Sequence, residues 1–365
     1  NKLRSKIFKN IILAVKKIEE NYQYEGLDIE FAVTKNYVVN ILQIRPLSTK
    51  KKWKPINENK FKSYLIKYEK KFNKISFRNK RYGKKAIFGL MPDWNPAEII
   101  GTKPSKLAFT IYCYLITDEV WAIQRSEYGY RDLNPNKLLR LFAGHPYIDV
   151  RASINSFIPK DLDDNLAERL INFYSKWLID HPDLHDKLEF DVLPTCFTLN
   201  HKKWEKRLSI SSSFTKIEIK DYLDSLKSLT IKNIKRVETD LNSLKKLSIR
   251  FEEIIKSNSQ EIDKALILLD DCKKYGTLPF AHLARAAFVS ISILKSAVDT
   301  GIISQKALDA FLSTINTVSH EFTRDLESLK DINEEKKWKM FFDKYGHLRP
   351  GTYDITSLSY SEAKE

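Results

Sequence analysis

The sequence contains little cysteine, which limits the classes of protein it can represent. Its 365 residues include three cysteines, ten glycines and twelve prolines. The three cysteines (Cys113, Cys196 and Cys272) are odd in number, far apart and unlike any metal-ligand spacing. The seven histidines show no HExxH arrangement. These features exclude a disulfide framework and a zinc cluster, and we expect three reduced thiols in a cytoplasmic protein.

Long apolar runs and glycine-rich phosphate loops are also missing. No apolar run approaches the roughly 20 residues that a membrane helix needs, so we expect no membrane partner. Residues 1–13 are basic and then apolar, but no small-residue cleavage site follows, which argues against a signal peptide. The chain has no Walker A motif, no GxGxxG and no GxSxG.

The positive charge is concentrated in one segment. The net charge is +15, and residues 50–85 hold 15 Lys or Arg against Glu58 and Glu69, a local balance of 15 − 2 = +13. Aromatic residues lie among these lysines and could serve a nucleic-acid surface: Tyr64, Tyr68, Phe72 and Phe77. No nucleic-acid motif accompanies them, so we interpret the segment as a solvated linker and basic helix and do not expect nucleic acid as a partner.

Residues 28–46 alternate as two strands of a hairpin should, with a Lys35-Asn36 turn between them. Polar residues stand among the apolar ones: Asp28 and Glu30 on the first strand, Gln43 and Arg45 on the second. A carboxylate can bind Mg²⁺ through oxygen, and a guanidinium meets phosphate in bidentate geometry. The hairpin is therefore a candidate site for a metal-bound phosphate, and its alternative is an ordinary surface hairpin.

The hairpin resembles the end of the ATP-grasp domain of phosphoenolpyruvate-utilising dikinases. These enzymes include phosphoenolpyruvate synthase, pyruvate phosphate dikinase and the rifampin phosphotransferases. That domain closes with a D-I-E strand and a Q-x-R-P strand, and here the two read Asp28-Ile29-Glu30 and Gln43-Ile44-Arg45-Pro46. The resemblance implies ATP and Mg²⁺ as cofactors. It implies that Glu30 is a metal ligand, that Gln43 contacts the metal or a phosphate, and that Arg45 is the catalytic residue at the terminal phosphate.

Five further segments resemble the central part of bacterial proteins described as phosphoenolpyruvate-synthase-like. They are MPDWNPAEIIG (91–101), LITDEVWAIQRSEYGYR (115–131), PYIDVRASINSFIP (146–159), KYGTLPFAHLARAAF (274–288) and YGHLRPGTYDI (345–355). The resemblance thus extends over nearly the whole chain. It implies transfer of a phosphoryl group from ATP through a phosphohistidine to a small-molecule acceptor.

The predicted fold class is α+β, predominantly α-helical, with the hairpin followed by a mainly helical domain that holds a small sheet. Residues 1–48 are the predicted end of the ATP-grasp domain, 49–85 a basic linker and helix, 86–350 the central domain, and 351–365 a linker to a phosphohistidine domain. Within the central domain, periodicity predicts a helix over 104–126, paired strands over 147–158 and 187–198, and one long helix or a broken pair over 217–257. Three further helices are predicted over 259–274, 279–300 and 303–329.

A phosphocarrier histidine needs a glycine-rich loop, and the chain offers only an imitation, Thr317-Val318-Ser319-His320, which has no glycine. We interpret His320 as a helix-surface residue and expect this chain alone to be inactive. The alternative function is a non-catalytic helical interaction module, or a nucleic-acid-binding protein that uses residues 50–85.

The acceptor is expected to bind the central domain. Arg151 and Asn155 would share the outward face of the strand 147–158, and Arg131 and Arg285 are further cations placed to suit an anionic acceptor. The alternative is that each arginine pairs with a nearby carboxylate, Arg151 with Asp149 or Asp191, and Arg131 with Asp132 or Glu127.

Overall fold

The computed structural model describes residues 2–21, 27–36, 38–46, 57–75, 82–234, 236–315, 317–329, 335–349 and 358–363. These residues are mostly helical with small antiparallel sheets, which confirms the coarse fold class. The chain divides into two compact units. One contains residues 1–57 and 315–365, and the other runs from Glu58 to Thr314. The predicted functional domains were drawn on a different basis and stay a prediction.

The elements follow one another in this order. The chain begins with α1 (Lys2–Asn21), β1 (Leu27–Val33), β2 (Val39–Pro46), α2 (Glu58–Ile75), β3 (Phe88–Gly89), α3 (Pro96–Ile99), α4 (Lys106–Tyr112), a π-helical segment (Cys113–Thr117) and α5 (Val120–Tyr128). It continues with β4 (Leu139–Phe142), β5 (His145–Asp149), α6 (Val150–Asn155), α7 (Asp164–Asp180), a 3₁₀ turn (Pro182–Leu184), a second π-helical segment (Leu188–Val192), α8 (Lys202–Ser209) and α9 (Lys216–Ile234). Last come α10 (Val237–Lys256), α11 (Glu261–Asp271), a third π-helical segment (Cys272–Thr277), α12 (Leu278–Asp299), α13 (Gln305–Ser313), α14 (Val318–Glu327) and α15 (Glu335–Tyr345).

The predicted hairpin is present in the first unit. Strands β1 and β2 pair antiparallel, with Asp28 opposite Arg45 and Glu30 opposite Gln43, and the register shifts between Glu30 and Phe31. Residues opposite one another on antiparallel strands have close side chains. The pairing therefore brings the polar residues of the two motifs to one end of the hairpin.

The second unit is built on two apolar cores. The larger core contains Tyr130, Phe157 and Tyr174, all fully buried, and is surrounded by α6, α7 and α9. The smaller contains Trp121 and Ile148 and lies between α5 and the three-stranded sheet, whose order is β3-β5-β4. Burial on this scale is the main stabilising term for the unit.

The predicted strand 147–158 is confirmed for residues 147–149 and is wrong beyond them. Strand β5 ends at Asp149, whose Oδ1 accepts a hydrogen bond from the backbone N–H of Ala152 at 3.1 Å and so caps α6. Residues 150–159 are all buried. Their alternation of apolar and polar types therefore did not mark a solvent face, and α6 could form without exposing an apolar side.

Three other predicted elements were also interrupted or replaced. Residues 187–198 contain the second π-helical segment and no strand. The predicted helix 104–126 is divided by the first π-helical segment, and 303–329 forms two helices. Thr317 caps the second of these, since its Oγ1 accepts from the N–H of His320 at 3.2 Å, and His320 is exposed. The stretch 217–257 is a broken pair, α9 and α10, which was one of the two predicted outcomes.

One helical stretch among the described residues, Glu261–Asp299, is 39 residues long and apolar enough to cross a membrane by length and composition alone. This differs from the expectation of no such run. A core helix of a soluble protein can pass the same test, and this stretch carries the buried polar residues His282 and Arg285. Cytoplasmic location stays a prediction.

Candidate functional site

The hairpin brings three predicted site residues into contact. Arg45 Nη2 donates to Glu30 Oε1 and to Gln43 Oε1, each at 2.7 Å. The side chain of Arg45 is 28% exposed and that of Glu30 is 54% exposed. An exposed ion pair of this kind adds little stability. The cluster of one guanidinium with two oxygen acceptors is therefore of interest as a polar binding surface.

The same cluster has the atoms needed for a Mg²⁺–phosphate site. Glu30 and Gln43 present two oxygen ligands, and Mg²⁺ is commonly held by one or two protein carboxylates together with waters and substrate phosphates. The described residues contain no group of three or more His, Cys, Asp or Glu placed to hold a metal. The roles of Glu30 and Gln43 toward Mg²⁺ and of Arg45 toward ATP stay predictions.

Arg131 has a carboxylate partner, but a different one from those expected. It donates to Asp164 Oδ1 at 2.7 Å and to the carbonyl of Leu162 at 2.5 Å, and its guanidinium lies 5.3 Å from the centre of the Tyr82 ring. The hydrogen bond from Arg131 lowers the pKa of Asp164. The alternative to an acceptor role names Asp132 or Glu127 as the partner of Arg131. The actual partner lies 33 residues away at the start of α7.

Arg151 and Asn155 lie on α6 and hold the backbone at residues 82–83. Asn155 Oδ1 accepts from the N–H of Tyr82 at 2.9 Å and its Nδ2 donates to the Tyr82 carbonyl at 3.0 Å. Arg151 Nη1 donates to the carbonyl of Gly83 at 3.3 Å. Arg151 and Asn155 therefore lie on a helix and share no strand face. Their role in binding an acceptor stays a prediction.

Arg285 belongs to a buried network that sequence reasoning did not foresee. Its Nη1 forms an ion pair with Glu189 Oε2, and the side chains of Arg285 and Glu189 are 6% and 14% exposed. Arg125 Nη2 donates to both oxygens of Asp93, at 3.0 and 3.3 Å, and lies 3.9 Å from Glu189 Oε1. Ser153 Oγ donates to Asp93 Oδ2 at 2.6 Å. Two cations and two anions are thus joined with no net charge.

The network lies around the ring of Phe157. The guanidinium carbons of Arg125 and Arg285 lie 3.7 and 4.7 Å from the ring centre. Burial raises the pKa of Asp93, and Arg125 offsets this only in part. Burial lowers the pKa of Arg285, but Glu189, Tyr130 and Asp93 together outweigh it and the net effect is a raised pKa. A charged group that deep in the protein requires its partner.

Most members of this network come from the segments that carry the family resemblance. Asp93 lies in 91–101, Arg125 in 115–131, Ser153 in 146–159 and Arg285 in 274–288. Of these four residues only Arg285 had a usable signal, as a cation in an otherwise small and apolar helix segment. Glu189 had no such signal, because it lies in the segment that was predicted to be a strand.

A second buried polar group links α5, α10 and α12. His282 Nε2 lies 2.9 Å from Glu127 Oε2, and its Nδ1 lies 3.4 Å from Gln124 Nε2. Arg236 Nη2 also donates to Glu127 Oε2, at 2.8 Å. Burial lowers the pKa of His282, and Arg236 lowers it further. If Gln124 donates to Nδ1, the neutral imidazole donates from Nε2 to Glu127. Both ring nitrogens then have protein partners, which is typical of a histidine with a structural role.

Glu189 also lines an open cleft of about 670 Å³ in the second unit. The cleft lies between the second π-helical segment, the loop after it, α8, α12 and α13. Thr195 and Cys196 are buried residues of its wall. Burial raises the pKa of the Cys196 thiol to about 11, so it is a neutral thiol at physiological pH. The cleft therefore contacts the buried network through the carboxylate of Glu189 and through Thr195, whose Oγ1 lies 3.5 Å from Arg285 Nη1.

No protein-family model, no curated protein and no solved structure matches this chain.

Proposed function

We propose that this chain is part of an ATP-dependent phosphotransferase similar to phosphoenolpyruvate-utilising dikinases. The observation that carries the proposal is the hairpin cluster, in which one guanidinium nitrogen of Arg45 contacts an oxygen of Glu30 and an oxygen of Gln43. These are the three residues to which the motif resemblance assigns the nucleotide's terminal phosphate and its metal. Their contact supports the assignment, because a metal-bound phosphate requires a cation and oxygen ligands within one ligand's reach.

Within that function the hairpin residues have separate roles. Glu30 and Gln43 would hold Mg²⁺, which when bound would neutralise phosphate charge. Arg45 would neutralise the terminal phosphate with charge-assisted hydrogen bonds. In the described structure the same guanidinium holds the two oxygen ligands in place. Phosphoryl transfer depends on this kind of positioned electrostatic stabilisation, and the phosphate would then pass through a histidine to the acceptor.

The proposal is tested in the protein that contains this chain together with its nucleotide-binding and phosphohistidine domains. Glu30→Ala and Arg45→Ala should each abolish ATP-dependent formation of acid-labile phosphate. The matched control is Lys35→Ala, in the exposed turn of the same hairpin, which should leave labelling unchanged. Equal labelling in all three variants, with unchanged folding by circular dichroism, would exclude a nucleotide role for the hairpin.

The alternative is an interaction module that binds nucleic acid through α2. The observation in its favour is that Phe61 and Tyr64 are exposed on a helix rich in lysine. Phosphate contacts make nucleic-acid binding fall steeply with salt. Salt-sensitive retention of RNA or DNA by the chain, lost when the α2 lysines are replaced by glutamine, would favour this alternative.

A further inference from the structure

We propose that the cleft of about 670 Å³ beside Glu189 binds the phosphoryl acceptor, and that the acceptor is a small organic anion carrying a phosphate or two carboxylates. The identification of the ligand as the phosphoryl acceptor rests on the proposed function. The binding of an anion does not depend on it, and follows from the lining of the cleft itself.

The first argument is the unused donors in the cleft. Its lining includes Lys187, Lys203 and Lys295. Lys203 Nζ lies 4.8 Å from the Trp204 ring centre and Lys295 Nζ lies 5.4 Å from that of Phe190. Among the described residues none of these three ammonium groups has an ion pair or a hydrogen bond. Each ammonium has three N–H donors, so the cleft has many donors free for an anionic ligand.

The second argument is that two of the four carboxylates of the lining are engaged. Four carboxylates line the cleft: Asp186, Glu189, Asp191 and Asp299. Glu189 forms an ion pair with Arg285, and Asp299 Oδ2 accepts from Asn200 Nδ2 at 2.6 Å. Arg207 donates to the backbone carbonyls of Asp191 and Val192 and only the charge of the Asp191 carboxylate acts on it, so among the described residues Asp191 and Asp186 accept no side-chain hydrogen bond, against three lysines without one. A cationic ligand would therefore find fewer free partners than an anionic one.

The third argument is the inner wall. Positive charges of Lys203 and Arg285 act on the Cys196 thiol, so both cations lie near this wall. Thr195 is 1% exposed, and its Oγ1 lies 3.5 Å from Arg285 Nη1. Glu189, which is paired to Arg285, is held in a π-helical segment, and such segments are frequent at functional sites. A cleft with convergent polar groups is also a usual place for a ligand.

Apolar side chains set the size and character of the ligand. Phe190, Leu308 and Leu312 line the cleft beside the lysines. A bare inorganic ion would leave these surfaces in water, whereas a ligand with a carbon skeleton covers them. The combination of lysine ammoniums, hydroxyls and apolar walls fits a phosphate monoester or a dicarboxylate of a few carbon atoms.

The test is isothermal titration calorimetry of the 365-residue chain with glycerol 3-phosphate, succinate and, as a neutral control, glycerol. We expect at least one of the two anions to bind and glycerol not to bind. The double variant K203A/K295A should weaken anion binding about tenfold or more, because each lysine supplies a charged hydrogen-bond donor to the anion. K203Q/K295Q should behave in the same way.

The matched control is K202A/K206A, which removes two exposed lysines of α8 outside the cleft lining and should leave affinity unchanged. Binding of glycerol 3-phosphate alone assigns a phosphate monoester, and binding of both anions assigns any small dianion. The proposal is overturned if neither anion binds, if glycerol binds equally, or if both pairs of lysine variants weaken binding alike. Glu30→Ala and Arg45→Ala should not change this binding, so failure here is distinct from failure of the proposed function.

Discussion

At the scale of single residues, the most demanding feature of the protein is its set of buried charges. Arg125 and Arg285 are almost fully buried, and Asp93 and Glu189 neutralise them. Removing two charges from water costs several kcal/mol each, and their attraction repays this only when the geometry is good. A substitution that removes one charge leaves its partner without compensation.

Glu189→Gln should therefore destabilise the second unit by about 3 kcal/mol, because Arg285 would remain buried and charged without its carboxylate. The measurement is the free energy of unfolding from urea titrations. Glu205→Gln, an exposed glutamate on α8, is the control and should change stability by less than about 0.5 kcal/mol.

The double variant E189Q/R285M should recover part of the loss, since it removes the unpaired charge as well. A single Glu189→Gln variant as stable as the wild type would show that the ion pair contributes no stability and that Arg285 is compensated by other groups.

At the scale of elements, helix α9 begins at a capping box formed by Thr215-Lys216-Ile217-Glu218, which matches the S/T-x-x-E pattern. The N–H of Thr215 donates to Glu218 Oε2 at 2.8 Å, and the N–H of Glu218 donates to Thr215 Oγ1 at 3.2 Å. Arg169 of α7 also pairs with Glu218. The cap therefore joins the start of one helix to the side of another.

This cap predicts a pH dependence of stability. The hydrogen bond from Arg169 and then that from the backbone of Thr215 lower the pKa of Glu218 from 4.5 to about 2. The folded state thus favours the ionised carboxylate. Its contribution is complete above pH 4.5 and is lost as the pH falls from 4.5 toward about 2.

We expect Glu218→Gln to be less stable than the wild type at pH 7 by about 1 kcal/mol, a figure kept small because the pair is partly exposed. The difference should shrink as the pH is lowered through this window. Urea unfolding at several pH values measures it, and a difference that stays constant from pH 7 to pH 2 would contradict the assigned pKa.

At the scale of the whole molecule, the 365 residues contain no glycine-rich phosphate loop and no glycine-flanked carrier histidine. His320 lies exposed on α14, capped by Thr317, which is helix geometry and not that of a carrier loop. The near-attack arrangement that supplies much of the catalytic advantage cannot be assembled from these parts.

This chain alone should therefore neither hydrolyse ATP nor become phosphorylated. The measurement is incubation with γ-labelled ATP and Mg²⁺, followed by a search for acid-labile phosphate on the chain. Label that disappears in His320→Ala would show that the interpretation of this histidine as a surface residue is wrong.

The sequence by itself determined the features that depend on near neighbours. The hairpin 28–46 follows from alternation and a polar turn, and most helices beyond residue 160 follow from their apolar periodicity. The basic helix α2 and the exposed position of His320 were also predictable, because local periodicity decides which face of a helix meets water.

Tertiary structure decided the rest. Residues 147–158 alternate like a strand, but residues 150–158 are all buried, so the alternation did not separate a core face from a solvent face. Half of these residues form α6, which Asp149 caps. Arg131 forms an ion pair with Asp164, 33 residues away, and Arg285 forms one with Glu189, 96 residues away. Sequence spacing cannot identify such partners, because a buried charge pairs with whichever opposite charge the packing of distant segments brings within reach.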